Sequence, residues 1–317
     1  MLLDCARRNS VYCSSGAKRS RELMLIDYHA HVNFNAYKND ADEVITRALS
    51  EGVFMILVGT QLATSRRAVE MSERYKNGVW AAVGLHPIHL EQMEVDEEES
   101  HFATRAEVFD PATYRELAKQ DKVVAIGECG LDYWHISGGP SSEASEDGPL
   151  HIVKQRQHLS LRQHLDLADE LDLPLILHCR GSKEDPADAY RDQIVILREY
   201  VEAGKIKRRG AIHCFISTWE IAQQYLELGF YIGFTGVITF PRTEQYGEVV
   251  RNIPLERILV ETDCPYLTPV PMRGRRNEPL YVRYVAEKVA AIKGKNKEEV
   301  EKQLFGNTLE TFPRITV

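Results

Sequence analysis

MLIDYHAHVNF, residues 24–34, places two histidines at the end of an apolar run. If that run is a β-strand, alternate side chains point to one face, so Asp27, His29 and His31 share a side. Imidazoles at this spacing are typical of a metal site, and a hydrogen-bonded polar pair that caps the strand is the alternative. The choice between the two depends on where the chain places its other ionisable residues.

Seven more apolar, β-rich runs follow the first, and amphipathic segments with apolar residues at helical spacing separate them. The eight runs are MLIDYHAH, VFMILVG, VWAAVGLH, KVVAIGECGLD, LPLILHC, GAIHCF, FYIGFTG and RILVETDCPYL. This alternation is typical of βα units and of a parallel sheet. In 317 residues, eight such strands predict a single α/β (β/α)8 TIM barrel rather than an open doubly wound sheet. No GxGxxG follows the first run, which counts against a dinucleotide-binding fold.

The barrel is predicted over residues 24–317. Residues 1–23 show no periodic pattern, and Met24 directly precedes the first run. We therefore expect a disordered leader or a misassigned start, with an organellar presequence as the alternative. The chain has no apolar run of about 18 residues and no apolar segment near its start, which predicts a cytoplasmic protein without a membrane span.

The formal charge of −8 argues against nonspecific binding of polyanions by the whole surface. It does not exclude a local basic groove. Much of the acidity lies in EQMEVDEEES and SSEASEDGP, which we interpret as solvated loops. They fall within two insertions, residues 90–110 and 135–149. Each insertion follows a strand, so both are expected at the face where barrel enzymes build their active sites.

Four of the six cysteines directly follow an ionisable residue on a predicted strand: Cys129, Cys179, Cys214 and Cys264. Successive residues of a strand point to opposite faces, so these cysteines are predicted to pack behind a site as small buried hydrophobes. No CxxC pair is present that would indicate a zinc knuckle.

Ionisable residues cluster at the carboxyl ends of the predicted strands. They are His29 and His31 on the first strand, His86 on the third, Glu128 on the fourth, His178 on the fifth, His213 on the sixth and Asp263 on the eighth. In a barrel these ends converge on one mouth, where catalytic residues are found. The remaining histidines, His89, His101, His135, His151, His158 and His164, are expected on helix surfaces and loops. The clustering favours the metal site over the capped strand.

Imidazole and carboxylate groups together suit zinc, manganese, iron or nickel better than calcium. Six ligands of these types, which these seven residues can supply, can hold two ions about 3.5 to 4 Å apart, where bound water ionises near pH 7 and becomes a nucleophile. Hydrolysis is the reaction class that this predicts. Serine chemistry has less support because no GxSxG elbow is present.

Eight motifs, in order, resemble the TatD family of metal-dependent deoxyribonucleases. They are DYHAH at 27–31, GLHP at 84–87, AIGECGLDY at 125–133, LHCR at 177–180, HCF at 213–215, YIGFTG at 231–236, ETDCPYL at 261–267 and RGRRNEP at 273–279. The resemblance runs from Met24 to the closing GNTLETF. It implies a TIM barrel of the metal-dependent hydrolase type, in agreement with the periodicity.

The resemblance implies a role for each strand-end residue. One ion would be held by His29, His31 and Asp263, a second by His178 and His213, and Glu128 would bridge them. Asp263 would also orient or deprotonate the attacking water. His86 would support the ligands or contact the scissile phosphate, the alternative being a histidine capped by the turn at Pro87.

Further residues are implied around this set. Glu261 faces the same side as Asp263 and is expected to support the ligands. Arg180, Arg275 and Arg276 are candidate phosphate contacts, because guanidinium groups match phosphate oxygens. A solvated surface pair is the alternative for Arg275 and Arg276.

The implied activity is hydrolysis of DNA from 3′ to 5′ on single-stranded ends, with two divalent ions per subunit, Mg, Mn or Zn, and no obligate protein partner. The chain departs from the usual pattern in its acidic insertion after His86 and its Gly/Ser-rich insertion after Tyr133. An acidic lid would repel a long polyanion, so the insertion folds away, selects short DNA ends or indicates a substrate other than DNA.

An amidohydrolase of a small cyclic amide, lactone or ester is the alternative function, although Glu128 stands where many such enzymes carry a carboxylated lysine. A noncatalytic nucleic-acid-binding scaffold is a third possibility that the six retained ligands disfavour.

Overall fold

A computed structural model describes residues 24–92, 94–97, 100–103, 106–136 and 149–317. Its strands are β1 (Leu25–Ala30), β2 (Val53–Val58), β3 (Val79–Val83), β4 (Glu94–Glu97), β5 (Ser100–Ala103), β6 (Val123–Asp132), β7 (Leu175–Arg180), β8 (Gly210–Ile212), β9 (Tyr231–Phe234) and β10 (Ile258–Val260). Its α-helices are α1 (Ala41–Ser50), α2 (Leu62–Glu73), α3 (Pro111–Ala118), α4 (Pro149–Leu171), α5 (Asp188–Glu202), α6 (Trp219–Glu227), α7 (Glu244–Asn252), α8 (Val282–Lys293) and α9 (Lys297–Thr311). The predicted leader and most of the second insertion lie outside the described residues.

Eight parallel strands form the main sheet in the order β1-β2-β3-β6-β7-β8-β9-β10. Beyond β10 the chain returns to β1, where Ala30 and Cys264 form a parallel bridge. His31 N donates to Cys264 O at 2.9 Å, and Asp263 N donates to His29 O at the same distance. These contacts nearly close the sheet on itself, so the predicted eight-stranded (β/α)8 barrel is confirmed.

The barrel interior is filled by alternate residues of the eight strands. Pairs two residues apart, such as Ile26 with Tyr28 and Ile56 with Val58, belong to one buried cluster that takes members from every strand of the main sheet. Phe312 from the chain end stacks on Tyr28 with ring centroids 5.9 Å apart. A larger cluster joins the outer strand faces to the helices. Within the described residues no helix has the length and hydropathy needed to cross a membrane.

Part of the acidic stretch at residues 91–100, which we interpreted as a loop, is a β-strand. This strand is β4, which pairs with β5 in an antiparallel hairpin, with Val95 opposite Phe102 and Asp96 opposite His101. With Val95 as its one apolar residue, β4 has no alternation of apolar and polar residues from which a strand could be predicted.

Asn307 of α9 ties the C-terminal helix to the barrel. Its buried side-chain nitrogen donates to Leu255 O and Ile258 O, both at 2.8 Å. Asn307→Ala leaves two buried carbonyl oxygens without this donor, so we expect the free energy of unfolding in urea to fall by about 2 to 3 kcal/mol. Lys302→Ala, on an exposed position of the same helix, serves as the control and should change stability by less than about 0.5 kcal/mol. A loss for Asn307→Ala no larger than that of the control would contradict this role.

Candidate metal centre

Glu128 lies at the centre of the strand-end residues, and its two carboxylate oxygens face different partners. Oε2 lies 3.3 Å from His29 Nε2 and 3.7 Å from His31 Nε2. Oε1 lies 3.1 Å from His178 Nδ1 and 3.8 Å from His213 Nε2. One carboxylate therefore contacts two separate sets of imidazole nitrogens, which is the arrangement that a bridging ligand requires.

Asp263 completes the side of the centre that is formed by β1. Its Oδ1 lies 3.2 Å from His31 Nε2 and 3.7 Å from His29 Nε2. The segment that carries it bonds back to β1 through Asp27, which accepts hydrogen bonds from Thr262 N at 2.9 Å and from Thr262 Oγ1 at 2.5 Å. A buried Asp27 thus fixes the backbone next to Asp263, although Asp27 is not itself in the centre.

Three groups of residues within the described chain have ligand atoms close enough to hold an ion: His29 with His31 and Asp263; His29 with Glu128 and His213; and His86 with Glu128 and His178. His86 Nε2 lies 3.3 Å from Glu128 Oε1, as near as several predicted ligands. His178 and His213, predicted to share the second ion, fall into different groups: their ring centroids are 6.3 Å apart, and each contacts Glu128 Oε1, at 3.1 and 3.8 Å.

The donor set fits divalent transition-metal ions. His29 Nε2 and His31 Nε2 face each other at 3.0 Å in a buried site, where one of the two nitrogens has to present a lone pair to the other. Burial lowers the pKa of His29, and burial and the neighbouring His178 lower the pKa of His86 to about 4. Neutral imidazoles and ionised carboxylates are the forms that bind such ions.

The carboxylates keep their charge in spite of burial. Burial alone raises the pKa of Glu128, but His86 and His29 outweigh it and hold the pKa well below its usual range. Burial lowers the pKa of His213, and the carboxylates of Glu261 and Asp263 outweigh it and raise that pKa to about 10. A proton on the His213 ring competes with an ion for the same nitrogen, so binding of an ion there would be favoured by higher pH.

Glu261 orients His213 from behind. Its Oε2 accepts a hydrogen bond from His213 Nδ1 at 2.6 Å, and its Oε1 accepts one from Cys214 N at 2.6 Å. With Nδ1 occupied, His213 can turn only Nε2 towards the centre. Glu261 thus lies where a residue that supports the ligands would be expected.

Asp132 is a site residue that our sequence reasoning missed. Its Oδ2 lies 3.0 Å from His178 Nε2, and its Oδ1 lies 2.9 Å from His135 Nδ1. Because His178 Nε2 is bound to Asp132, Nδ1 is the nitrogen that faces Glu128. Asp132 is four residues after Glu128 on the same strand, so strand alternation alone places both on one face and could have indicated it.

A cavity of about 750 Å³ lies over the centre. Among the predicted site residues, His31, His86, Glu128, His178, Arg180, His213 and Asp263 line it. Its wall also includes four aromatic residues, Phe34, Trp134, Tyr246 and Tyr266.

The predicted phosphate contacts Arg275 and Arg276 do not belong to this lining. Arg276 Nη1 donates to Asp40 at 3.0 Å, and the Arg275 carbonyl accepts from Thr268 Oγ1 at 2.7 Å.

Among the histidines that we expected on helix surfaces and loops, His89 and His135 do lie in the connections after β3 and β6, and both also line the cavity. The expectation is wrong for His164. His164 is fully buried in α4, where its Nε2 accepts a hydrogen bond from Leu85 N at 3.0 Å. Helical spacing alone could not show this, because α4 is long and packs against the loop that carries His86.

Cys129 and Cys264 are fully buried, as predicted. Cys179 is also buried in the cluster between the strands and the helices, as predicted, and contributes to the cavity wall, whereas Cys214 is partly exposed and lines the cavity. Cys214 lies beyond the end of β8 and has a left-handed backbone, with φ of 45°, so strand alternation does not apply to it.

His164 gives the protein a specific dependence of stability on pH. Burial lowers its pKa in the folded chain to about 4, below the ordinary value of 6.5. Between these two values only the unfolded chain takes up the proton, so stability is complete above pH 6.5 and falls as the pH decreases towards 4. From pH 6.5 to 5 this contribution amounts to about 2 kcal/mol.

The test compares urea unfolding of the wild type and His164→Gln at several pH values. We expect the difference in stability between the two proteins to shrink by about 2 kcal/mol as the pH falls from 6.5 to 5. The exposed His151 on the same helix provides the control variant His151→Gln. A difference between wild type and His164→Gln that stays constant with pH would contradict this interpretation.

Comparisons with known proteins agree with this geometry. The profile of the family described as TatD related DNase matches residues 26–313. The chain is 40% identical over 291 residues to the uncharacterized metal-dependent hydrolase YabD of Bacillus subtilis (strain 168), covering 91% of this chain and 99% of that protein. It is 33% identical over 296 residues to the 3′-5′ ssDNA/RNA exonuclease TatD of Klebsiella pneumoniae (strain 342), covering 91% of this chain and 97% of that protein.

A solved structure shows the same fold. The crystal structure of YJJV, a TatD homolog from Escherichia coli K12, superimposes with a TM-score of 0.72 at 27% identity and covers 91% of this chain and 98% of that one. The profile match and the identity to these relatives extend over almost the whole barrel. The chain therefore belongs to the TatD-related DNase family of metal-dependent hydrolases.

Proposed function

We propose that this protein hydrolyses phosphodiester bonds of single-stranded DNA from the 3′ end, using two divalent ions. The observation that carries the proposal is the placement of Glu128, whose Oε2 faces His29 and His31 and whose Oε1 faces His178 and His213. A carboxylate in this position can contact two ions at once. Paired ions suit an in-line displacement at phosphorus.

The ligands divide into two sets in this proposal. His29, His31 and Asp263 would hold one ion, and His178 and His213 would hold the other. Such ions, when bound, supply the positive charge that makes water acidic and neutralises the phosphate oxygens. Magnesium, manganese and zinc are the candidates that imidazole and carboxylate groups accommodate.

Asp263 is the general base of the proposed reaction. Burial raises its pKa, but His213 and His31 outweigh this and lower the pKa below the ordinary value, so the side chain is a carboxylate at neutral pH. It is partly exposed to the cavity, where it can accept a proton from water. His86 lines the same cavity; its Nδ1 accepts a hydrogen bond from Ile88 N at 3.2 Å and its Nε2 lies 3.3 Å from Glu128 Oε1, so in this proposal it supports the Glu128 carboxylate.

The choice of DNA ends is supported by the relative from Klebsiella pneumoniae, whose name describes a 3′-5′ exonuclease of single-stranded DNA and RNA. The cavity of about 750 Å³ has the size of sites that enclose small molecules, which span about 300 to 1,000 Å³. This favours a chain end over the middle of a duplex.

The proposal is tested with 5′-labelled single-stranded DNA, incubated with EDTA or with added magnesium, manganese or zinc. A ladder that shortens from the 3′ end, appears only with a divalent ion and is absent with EDTA is expected. A 5′-labelled RNA of the same sequence, tested in parallel, shows whether cleavage depends on the sugar being deoxyribose. Absence of cleavage with every ion, in protein shown to contain metal, would contradict the proposal and favour an amide, lactone or small ester as substrate.

A further inference from the structure

One edge of the cavity carries two cations beside an indole ring. Arg180 ends β7, two residues after His178, and Trp134 follows β6. The Arg180 guanidinium carbon lies 4.6 Å from the centre of the Trp134 ring, and Lys183 Nζ lies 5.3 Å from it. The two chain segments are joined where Tyr133 N donates to Arg180 O at 2.8 Å. The three side chains therefore form one group, which we call the Trp134 edge.

The Trp134 edge differs in charge from the rest of the cavity. Within the described chain, Arg180 and Lys183 are the lysine and arginine residues of the lining, whereas the residues around the metal centre are histidines and carboxylates. Cation–π contacts hold a positive group near an indole ring and limit its freedom, so less entropy is lost when it binds an anion. A guanidinium and an ammonium group together match the oxygens of one phosphate.

The indole adds a second property. Trp134 is partly buried, and its side chain contributes to the cavity wall. Aromatic rings of this kind bind the bases of single strands by stacking, with little dependence on base identity. A basic pair beside an aromatic surface is the combination by which proteins bind one nucleotide of a single strand.

We propose that the Trp134 edge is the subsite for the nucleotide adjacent to the scissile phosphodiester. Its phosphate binds Arg180 and Lys183, and its base stacks on Trp134. This inference rests on the proposed phosphodiesterase function and adds to it that the enzyme selects substrates with a second phosphate and a base beside the bond that is cleaved. His178 lies two residues from Arg180, which places the subsite next to the metal centre.

The test compares two substrates on the same protein samples. A thymidine trinucleotide with two phosphodiesters can occupy the subsite, whereas bis(p-nitrophenyl) phosphate offers only the scissile group. For Lys183→Gln and for Trp134→Leu, the ratio of kcat/KM on the trinucleotide to kcat/KM on bis(p-nitrophenyl) phosphate should fall about tenfold. The ratio does not depend on the fraction of enzyme that is folded, so a general loss of stability cannot imitate the effect.

Lys207→Gln is the matched control, since Lys207 is exposed between α5 and β8, away from the carboxyl ends of the strands. Its ratio should equal that of the wild type. With an abasic residue next to the scissile bond, the effect of Trp134→Leu should disappear while that of Lys183→Gln persists. Ratios within twofold of wild type for both variants would overturn the subsite while leaving the proposed function intact. A wild type that cleaves neither substrate would contradict the proposed function, and the subsite with it.

Discussion

Glu128→Gln is expected to lose nearly all metal-dependent hydrolysis of bis(p-nitrophenyl) phosphate. The amide has the shape of the carboxylate but no charge, and its nitrogen would have to face one of the two sets of imidazoles that the Glu128 oxygens contact at 3.1 to 3.8 Å. Loss of a residue that only supports a ligand costs roughly 10- to 100-fold in activity or metal affinity. Loss of a ligand shared by two ions should exceed that range.

The measurement is kcat/KM at saturating manganese, together with the metal content of the purified variant. The expected result is a loss greater than about 100-fold, accompanied by less than the full complement of metal. Glu170→Gln makes the same chemical change at an exposed site near the end of α4 and should retain wild-type activity. A Glu128→Gln variant that keeps a tenth or more of the activity would exclude a bridging role for this carboxylate.

Asp263→Asn should reduce hydrolysis by about 10²- to 10⁴-fold, because it removes the proposed general base. The amide cannot accept the proton of the attacking water. Hydroxide from the solvent can replace that function, so the activity of the variant should increase with pH across a range in which the wild type has reached its plateau. The measurement is the dependence of kcat on pH for both proteins.

The metal content of Asp263→Asn separates the two roles of this residue. Full metal content with a rate that rises with pH indicates a lost base, whereas reduced metal content indicates that the ligand role dominates. Asp166→Asn, at an exposed position of α4, is the control and should behave as the wild type does. Wild-type activity and wild-type pH dependence in Asp263→Asn would contradict the assignment.

The sequence contained enough information for the barrel and for the grouping of the strand-end residues. Parallel strands buried on both sides are nearly continuous apolar runs, so a charged or imidazole residue at the end of each run is easily recognised. In a barrel those ends meet by geometry. His29 in β1 and His178 in β7 therefore both lie within 3.3 Å of Glu128 in β6, although about 150 residues separate the two histidines.

What the sequence did not show depends on packing between distant segments. Asp132 continues the alternation of β6, but its role depends on His178 in the neighbouring strand. His164 has the spacing of an ordinary helical residue, and only the approach of the loop at Leu85 buries it. Arg276 is basic and follows a motif of the family, yet Asp40 lies close enough to bind it outside the cavity. Each of these outcomes depends on a partner far along the chain.

The most direct test of the central claim is the anomalous diffraction of crystals soaked in manganese. We expect two manganese peaks per chain, about 3.5 to 4 Å apart, with the carboxylate of Glu128 between them. His29, His31 and Asp263 should surround one peak, and His178 and His213 the other. A single peak, or two peaks that Glu128 does not join, would contradict a two-ion centre in this barrel.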